Sequence, residues 1–282
     1  MAVSGALQAD RGRWYVVKIG GELIAPGKLD GLAEALRAFT DAGVKVAIVH
    51  GGGPQATELT KRLGLEPRQI AGRRVTDEQV LRVMKQSLAG EVSVDVAALL
   101  RSLGVRVLAL HGVSGGLVDG VKRPARMIQG GPPEPVDLGF VGDVTGVNTE
   151  LLEYLAAGGW VPAIASIAGD AHGGVWNINA DTVATRVASA LRARRLLLVS
   201  GVPGVLRDPA DKSTRIPRLT PAETQRLIDE GVIGGGMIPK VLEAVRGLEA
   251  GIEAVHVCGA APGQVLGEVR DPGAAGTVFA AA

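Results

Sequence analysis

Short apolar runs recur along the chain, with stretches of helical rhythm between them. Trp14 to Ile19, Val44 to Val49, Val105 to Leu110, Val161 to Ile167, Leu196 to Val199 and Ala254 to Val257 have strand length and little polar alternation. Each is therefore expected to be buried on both faces of a sheet. Leu29, Leu32, Ala33, Leu36 and Phe39 repeat at helical spacing until Gly43 stops them, and Pro54 stands in the first turn of a helix running to about Leu63. Thr76 with Gln79, and Thr220 with Pro221 and Glu223, read as capping boxes. The first opens a helix carrying Val80, Leu81, Met84 and Leu88, and the second a helix ending near Glu230. Strands alternating with helices predict an α/β protein, a three-layer αβα sandwich around a central, mostly parallel sheet.

The rhythm lapses between Ser114 and Val144, where Pro124, Pro132, Pro133 and Pro135 exclude a long regular element, so hairpins or a lid edge are expected. Met1 to Arg13 is short and mixed, without the apolar core of a signal peptide, and is expected to be a loose tail. No long polar linker or solenoid-length repeat divides the chain, so its halves are expected to share one continuous sheet.

Composition narrows the function. With 282 residues, 46% of them hydrophobic, the chain can bury a large core. Thirty basic against 29 acidic residues leave a net charge of +1, which provides no bulk field to recruit nucleic acid or an anionic membrane. Any anion must be held locally. Cys258 is the only cysteine, so an intrachain disulfide and a cysteine-rich zinc site are excluded, and a cytoplasmic enzyme is expected. Many of the 41 glycines follow apolar runs directly, where parallel α/β proteins build ligand loops.

Three chemistries compete for His50-Gly51-Gly52-Gly53-Pro54-Gln55-Ala56. The spacing Gly51, Gly53, Ala56 fits a dinucleotide fingerprint, but the stretch that should supply the ribose-binding acid, Arg68 to Val75, is basic and short. His50 to Gly53 also resembles a hydrolase oxyanion hole, with Ser114 in Gly112-Val113-Ser114-Gly115-Gly116 as nucleophile and His172 or His256 as base. Such an elbow needs a helix directly after the serine, and Leu117 to Pro124 does not supply one. Phosphate binding is the third reading. Gly20-Gly21, Gly51-Gly52-Gly53 and Gly234-Gly235-Gly236 can each turn bare backbone amides toward an anion, and Lys18 and Lys240 lie beside two of them. His50, His111, His172 and His256 are expected to be structural or solvated, and Cys258 buried and inert.

Lys18-Ile19-Gly20-Gly21, His50-Gly51-Gly52-Gly53-Pro54, Gly72-Arg73-Arg74-Val75-Thr76, Asn177-Ile178-Asn179-Ala180-Asp181 and Gly235-Gly236-Met237-Ile238-Pro239-Lys240 stand in one order. In that order and spacing the chain resembles the acetylglutamate kinases of the amino acid kinase family, from about Tyr15 to Phe279. The resemblance implies ATP-dependent phosphorylation of the side-chain carboxylate of N-acetyl-L-glutamate. It implies that Lys18 and Lys240 contact the transferring phosphoryl group, that Asp181 orients both lysines, and that Gly20, Gly21 and Gly52 hold phosphate oxygens. Arg74, Asn177, Gly52 and Gly53 would bind the acceptor. Gly201, Val202, Pro203, Gly204, Val205 and Leu206, with Val232, Ile233 and Gly234, would line the nucleotide. Mg²⁺ would ride on ATP, with no dedicated protein metal site. Residues 14–192 would form an acceptor-binding and dimerisation lobe and 193–280 a nucleotide lobe.

Departures accompany the resemblance. Gly201 stands where that family usually has Asp, Ser93-Val94 where Asn-Lys is usual, and His111 to Gly120 is atypical. Three alternatives stay open: a kinase of carrier-bound aminoadipate or glutamate, a catalytically idle nucleotide- or arginine-sensing module, and the hydrolase built on His50 to Gly53 and Ser114. Because Met1 to Arg13 is too short for a helix that reaches a neighbouring subunit, a homodimer insensitive to arginine is expected.

Overall fold

The computed structural model describes residues 2–128 and 131–281. In chain order, α1 (Ala2–Ala9), β1 (Trp14–Ile19), α2 (Asp30–Asp41), β2 (Lys45–His50), α3 (Gly53–Arg62), and the short strands β3 (Gln69–Ile70) and β4 (Arg73–Arg74) form the first third. There follow α4 (Glu78–Met84), α5 (Ser93–Ser102), β5 (Val107–His111), β6 (Val118–Lys122), β7 (Gly142–Val147), α6 (Thr149–Ala157), β8 (Val161–Ala165), β9 (Ile167–Gly169), β10 (Val175–Asn177) and α7 (Ala180–Ala190). The remainder is β11 (Arg195–Val199), β12 (Arg218–Leu219), α8 (Pro221–Asp229), α9 (Met237–Glu249), β13 (Ala254–Cys258), α10 (Gln264–Arg270) and β14 (Gly276–Phe279).

The main sheet has eight strands in the order β12-β14-β13-β11-β1-β2-β8-β5 and runs unbroken through the molecule. Every neighbouring pair is parallel except β13 with β14. Alternate residues of each strand feed two cores. Val16, Ala47, Val49, Ile164, Leu196 and Leu198 pack under α6, α7, α8 and α9, while Tyr15, Val17, Ile48, Leu197 and Val199 pack under α2, α5 and α10. The expected three-layer sandwich is thus the one formed, and each fully buried aliphatic side chain contributes about 1.5–3 kcal/mol to it.

A smaller four-stranded sheet, β10-β9-β6-β7, stands over one end of the main sheet. Its β6–β7 hairpin is the irregular region that the prolines predict. The connecting loop is tied down by bridges from Arg126 to Val136, Thr76 to Gly139 and Val141 to Asn177. Gly139 has φ +78, and a Cβ there would lie 2.3 Å from the Thr76 carbonyl oxygen, so only glycine fits.

Two expectations are corrected. The first residues are not a loose tail: Ala2–Ala9 are helical, Leu7 is buried in the core beneath α2 and α10, and α1 docks on α10. The capping box at Thr76 and Gln79 does not form either. Asp77 is the cap, accepting from the Val80 amide at 2.8 Å, while Thr76 is drawn out of the helix. Its carbonyl accepts from Phe140 at 2.7 Å, and its hydroxyl accepts from Asn177 Nδ2 at 3.0 Å. The box at Thr220 and Glu223 forms as expected. Among the described residues no helix is long and apolar enough to cross a membrane.

Candidate active site

Because β1, β2, β8 and β11 are parallel neighbours, their C-terminal ends line up, and the loops leaving them meet above the sheet. A cavity of about 860 Å³ opens there, lined by Lys18, Gly20, Gly21, Gly51 to Gly53, Arg74, Ser166 and Asn177 among others. Two of the predicted glycine loops touch: a Cβ on Gly21 would come within 3.1 Å of Gly52 Cα and 2.9 Å of Gln55 Oε1. The side-chain amide of Gln55 anchors the contact, its Nε2 donating to the Gly21 carbonyl at 2.8 Å.

Gly52 is pressed from the other side by a widened helix. Between α4 and α5 the chain winds as a π-helix over Lys85–Val92, and a Cβ on Gly52 would meet Leu88 at 2.6 Å and Val92 at 3.0 Å. His50, fully buried, fixes the strand end beneath this loop. Its Nδ1 lies 3.2 Å from the Gly51 carbonyl, so Nδ1 carries the proton, and its Nε2 lies 3.2 Å from the hydroxyl of Ser93, which itself donates to the Leu88 carbonyl at 2.9 Å. Burial lowers the imidazole pKa to about 4, against a small opposing pull from the Gly51 carbonyl, so His50 is neutral at pH 7. Ser93 therefore has a positioning part that the sequence pattern did not reveal.

The three predicted charged groups converge. Lys18 leaves β1 on the α7 side, Asp181 stands in the first turn of α7, and Lys240 in the first turn of α9. Lys18 Nζ is 3.0 Å and Lys240 Nζ 3.8 Å from the same oxygen, Asp181 Oδ1. All three side chains are nearly buried. Burial alone would raise the Asp181 carboxyl, but the two ammonium groups overcome it and hold it below the usual carboxylate range. Lys240 is pulled down by burial and by Lys18, with Asp181 opposing. Asn179 caps α7 by accepting from the Asp181 amide at 2.8 Å, which aims the carboxylate between the lysines. Both α3 and α9 begin at glycine without a side-chain cap, leaving first-turn amides for an anion.

Arg74 reaches the opposite side of the cavity from β4. Its Nη2 donates to Thr57 Oγ1 at 2.7 Å and to the Gly53 carbonyl at 3.2 Å, while Nη1 is buried without a partner. A half-buried guanidinium with one edge anchored and the other unsatisfied is prepared for an incoming carboxylate. Asn177, half-buried in β10, lines the same cavity.

The expected nucleotide residues divide. Gly201 is joined to the first glycine loop, its amide donating to Glu22 Oε1 at 3.1 Å. Val205 and Ile233 are packed into the core, so a ligand beside them would meet main chain rather than these side chains. None of Gly201 to Leu206 or Val232 to Gly234 lines the central cavity. Glu22 and the arginines of the irregular hairpin, Arg123 and Arg126, do line it and were missed. Glu22 follows a glycine pair like any surface acid, and the arginines sit in a proline-rich stretch without periodicity.

The hydrolase reading fails on geometry. Ser114–Gly116 form one 3₁₀ turn followed by a strand, and Ser114 is occupied with His111 Nδ1 of its own loop at 3.2 Å. Neither Ser114 nor His172 nor His256 lines the cavity.

An open parallel sheet whose glycine loops and first-turn amides surround two cations and one shared carboxylate defines a phosphotransferase of small anionic molecules. Residues 13–259 match the model of the amino acid kinase family, and the chain belongs to that family. It is similar to the acetylglutamate kinase of Anaeromyxobacter dehalogenans, with 52% identity over 94% of this chain and 98% of that protein. It is also similar to the acetylglutamate kinase of Sorangium cellulosum, with 50% identity over 94% of this chain and 93% of that one. Among solved structures, N-acetylglutamate synthase from Neisseria gonorrhoeae, complexed with coenzyme A and N-acetyl-glutamate, superposes with a TM-score of 0.82. That likeness covers 100% of this chain and 62% of that one at 24% identity, and concerns the fold.

Proposed function

We infer that the chain transfers the terminal phosphoryl group of ATP to the side-chain carboxylate of N-acetyl-L-glutamate, giving the acyl phosphate used in arginine biosynthesis. The observation that carries this is the convergence of Lys18 and Lys240 on Asp181 beside touching glycine loops. The acceptor carboxylate is already ionised at neutral pH, so no general base is needed, and the task is to bring an anion against a polyanion. Lys18 and Lys240 hold the transferring oxygens, and Asp181 keeps both ammonium groups in place. Gly20, Gly21 and Gly52 supply amides. Arg74 grips the second carboxylate of the acceptor through its unpartnered Nη1, and Asn177 with Gly52 and Gly53 holds the acyl end. The nucleotide lies toward Gly201 to Leu206 and Val232 to Gly234, over residues 193–280, while 14–192 hold the acceptor.

Mg²⁺ fits this site as a passenger of the nucleotide. Among the described residues no group of three or more His, Cys, Asp or Glu side chains could cage a metal, whereas Glu22 offers a carboxylate beside the phosphate loop. Bound there, the ion would offset phosphate charge.

A homodimer formed across β5 suits the exposed side of the sheet. This edge strand is only half-buried, and Tyr154 on α6, Val94 on α5 and Trp160 expose large apolar surface beside it. The cytoplasm, where ATP is made and consumed, is the fitting compartment.

A coupled ADP-release assay with N-acetyl-L-glutamate, glutamate, aspartate and aminoadipate tests the reading. Saturable turnover with N-acetyl-L-glutamate and little with the free amino acids is expected. Preference for any other acceptor would overturn the substrate assignment.

A further inference from the structure

We propose that Glu22 makes nucleotide binding depend on a divalent cation, by placing a carboxylate without a direct ion-pair partner at the phosphate end of the site. The proposal rests on the reading that the polyphosphate lies over Gly20, Gly21 and Gly201.

Glu22 stands in a single 3₁₀ turn, Gly21–Leu23, directly after Gly20. Its carboxylate folds back over the loop: a Cβ on Gly20 would fall 2.3 Å from Glu22 Oε1 and 2.4 Å from Oε2. The same Oε1 accepts from the Gly201 amide at 3.1 Å, joining the loops after β1 and β11. A Cβ on Gly201 would lie 3.5 Å from Glu22 Cγ, an ordinary contact distance, so the two loops are packed against each other. The turn is further held by Lys28 Nζ, which donates to the Glu22 carbonyl at 3.2 Å.

The charge balance then follows from the neighbours. Lys18 and Lys240 bring two positive charges, and Asp181 cancels one by pairing with both. Glu22 lies within the electrostatic reach of Lys240 and cancels the other, leaving the empty phosphate end neutral. Of the other cavity carboxylates, Asp143 is engaged with Arg123 at 2.6 Å and Glu243 with Arg246 at 2.5 Å. Glu22 has no ion-pair partner within 4.0 Å among the described residues. A polyphosphate arriving without a cation meets like charge at Glu22. One arriving with Mg²⁺ presents a cation to the same carboxylate, directly or through water. Glu22 is thereby a specificity-determining residue that selects the metal-bound nucleotide over the free one.

Isothermal titration of the full chain with the non-hydrolysable analogue AMP-PNP, with Mg²⁺ and with chelator, separates this from a purely mechanical part for Glu22. In Glu22→Gln the amide oxygen still accepts from Gly201 while the charge is gone. Metal-free analogue should bind this variant about tenfold tighter than wild type, with a much smaller change for the Mg²⁺ complex, so the metal dependence of Kd collapses. Glu22→Ala should show the same collapse. An unchanged ratio in Glu22→Gln, or a change seen only in Glu22→Ala, overturns the proposal. Wild type that binds AMP-PNP under neither condition would overturn the siting of the nucleotide, and the proposal with it. Thermal melts of each variant register any loss of fold separately.

Discussion

Two buried charged networks lie on opposite faces of the same sheet, and they are finished to different degrees. On the face covered by α2 and α10, Tyr15 donates to Asp10, Arg195 donates to Tyr15 at 3.3 Å and to His256 Nε2 at 3.1 Å, and His256 Nδ1 donates to Glu268 at 2.8 Å. Glu268 also accepts from the amides of Gly273 and Ala275 at 2.9 and 3.1 Å. Because arginine can only donate, the proton of His256 is fixed on Nδ1. Every strong donor in that chain has its acceptor. On the α7 face, Asp181 Oδ1 sits between two ammonium groups without an aligned hydrogen bond, and Arg74 Nη1 has no partner. The completed network is structural. The incomplete one retains donors for a ligand, at a cost in stability that the first network helps to offset.

The sharpest way to break this contrast is to unfinish the completed side. Glu268→Ala strands the His256, Gly273 and Ala275 donors, each costing about 1–3 kcal/mol when buried, so roughly 3 kcal/mol or more should be lost in urea unfolding. The turnover of the folded fraction should stay within about twofold of wild type; a large drop would join that network to catalysis. On the other face the effects reverse. Lys18→Ala and Lys240→Ala should each cut kcat by about 10²–10³, corresponding to roughly 2.7–4 kcal/mol, with little loss of melting temperature. Near-normal turnover in either variant would remove that lysine from the mechanism.

Arg74→Lys keeps the charge but loses the fork. A rise of about tenfold or more in KM for N-acetyl-L-glutamate is expected, with the ATP constant nearly unchanged. If the ATP constant moves instead, Arg74 serves the nucleotide. A further test concerns pH. His50 is lowered to about 4 in the fold and His256 is also lowered, both primarily by burial, so below about 6.5 the unfolded chain takes up protons that the folded chain refuses. Stability should therefore fall as pH drops from 6.5 toward 4, by about 1.4 kcal/mol per unit for His50, with His256 acting in the same direction. His50→Asn should flatten that slope in urea titrations at pH 7 and 5, and an unchanged slope would assign the pH dependence to other groups.

The strands that carry the site were legible because they are continuous apolar runs closed by glycine, as in Trp14 to Gly21. The convergence of Lys18, Asp181 and Lys240 was legible only through the ordered motifs, since no local rhythm relates positions so far apart. For β6 and β7 only a hairpin region was legible, and β9 and β10 were not legible as strands: each is three residues long, and they take their shape from each other rather than from their own sequence. The helix at Ala2–Ala9 was missed because Leu7 needs α10 to make it apolar-facing. At Thr76 a tertiary partner, Asn177, outweighed the local capping signal.

The π-helical stretch Lys85–Val92 holds one more consequence, in the bookkeeping of chain length. Such a turn is the trace of an extra residue accommodated within an α-helix. Removing one residue there would let α4 and α5 fuse into a single regular rod, with better hydrogen bonds than before. The same deletion would rotate everything downstream by about 100°. Val92 and Ser93 would then leave Gly52 and His50, the contacts that press the second glycine loop against the first. A shorter chain would make a sounder helix and a looser cradle, so this insertion is one that the helix tolerates for the sake of the loop beside it.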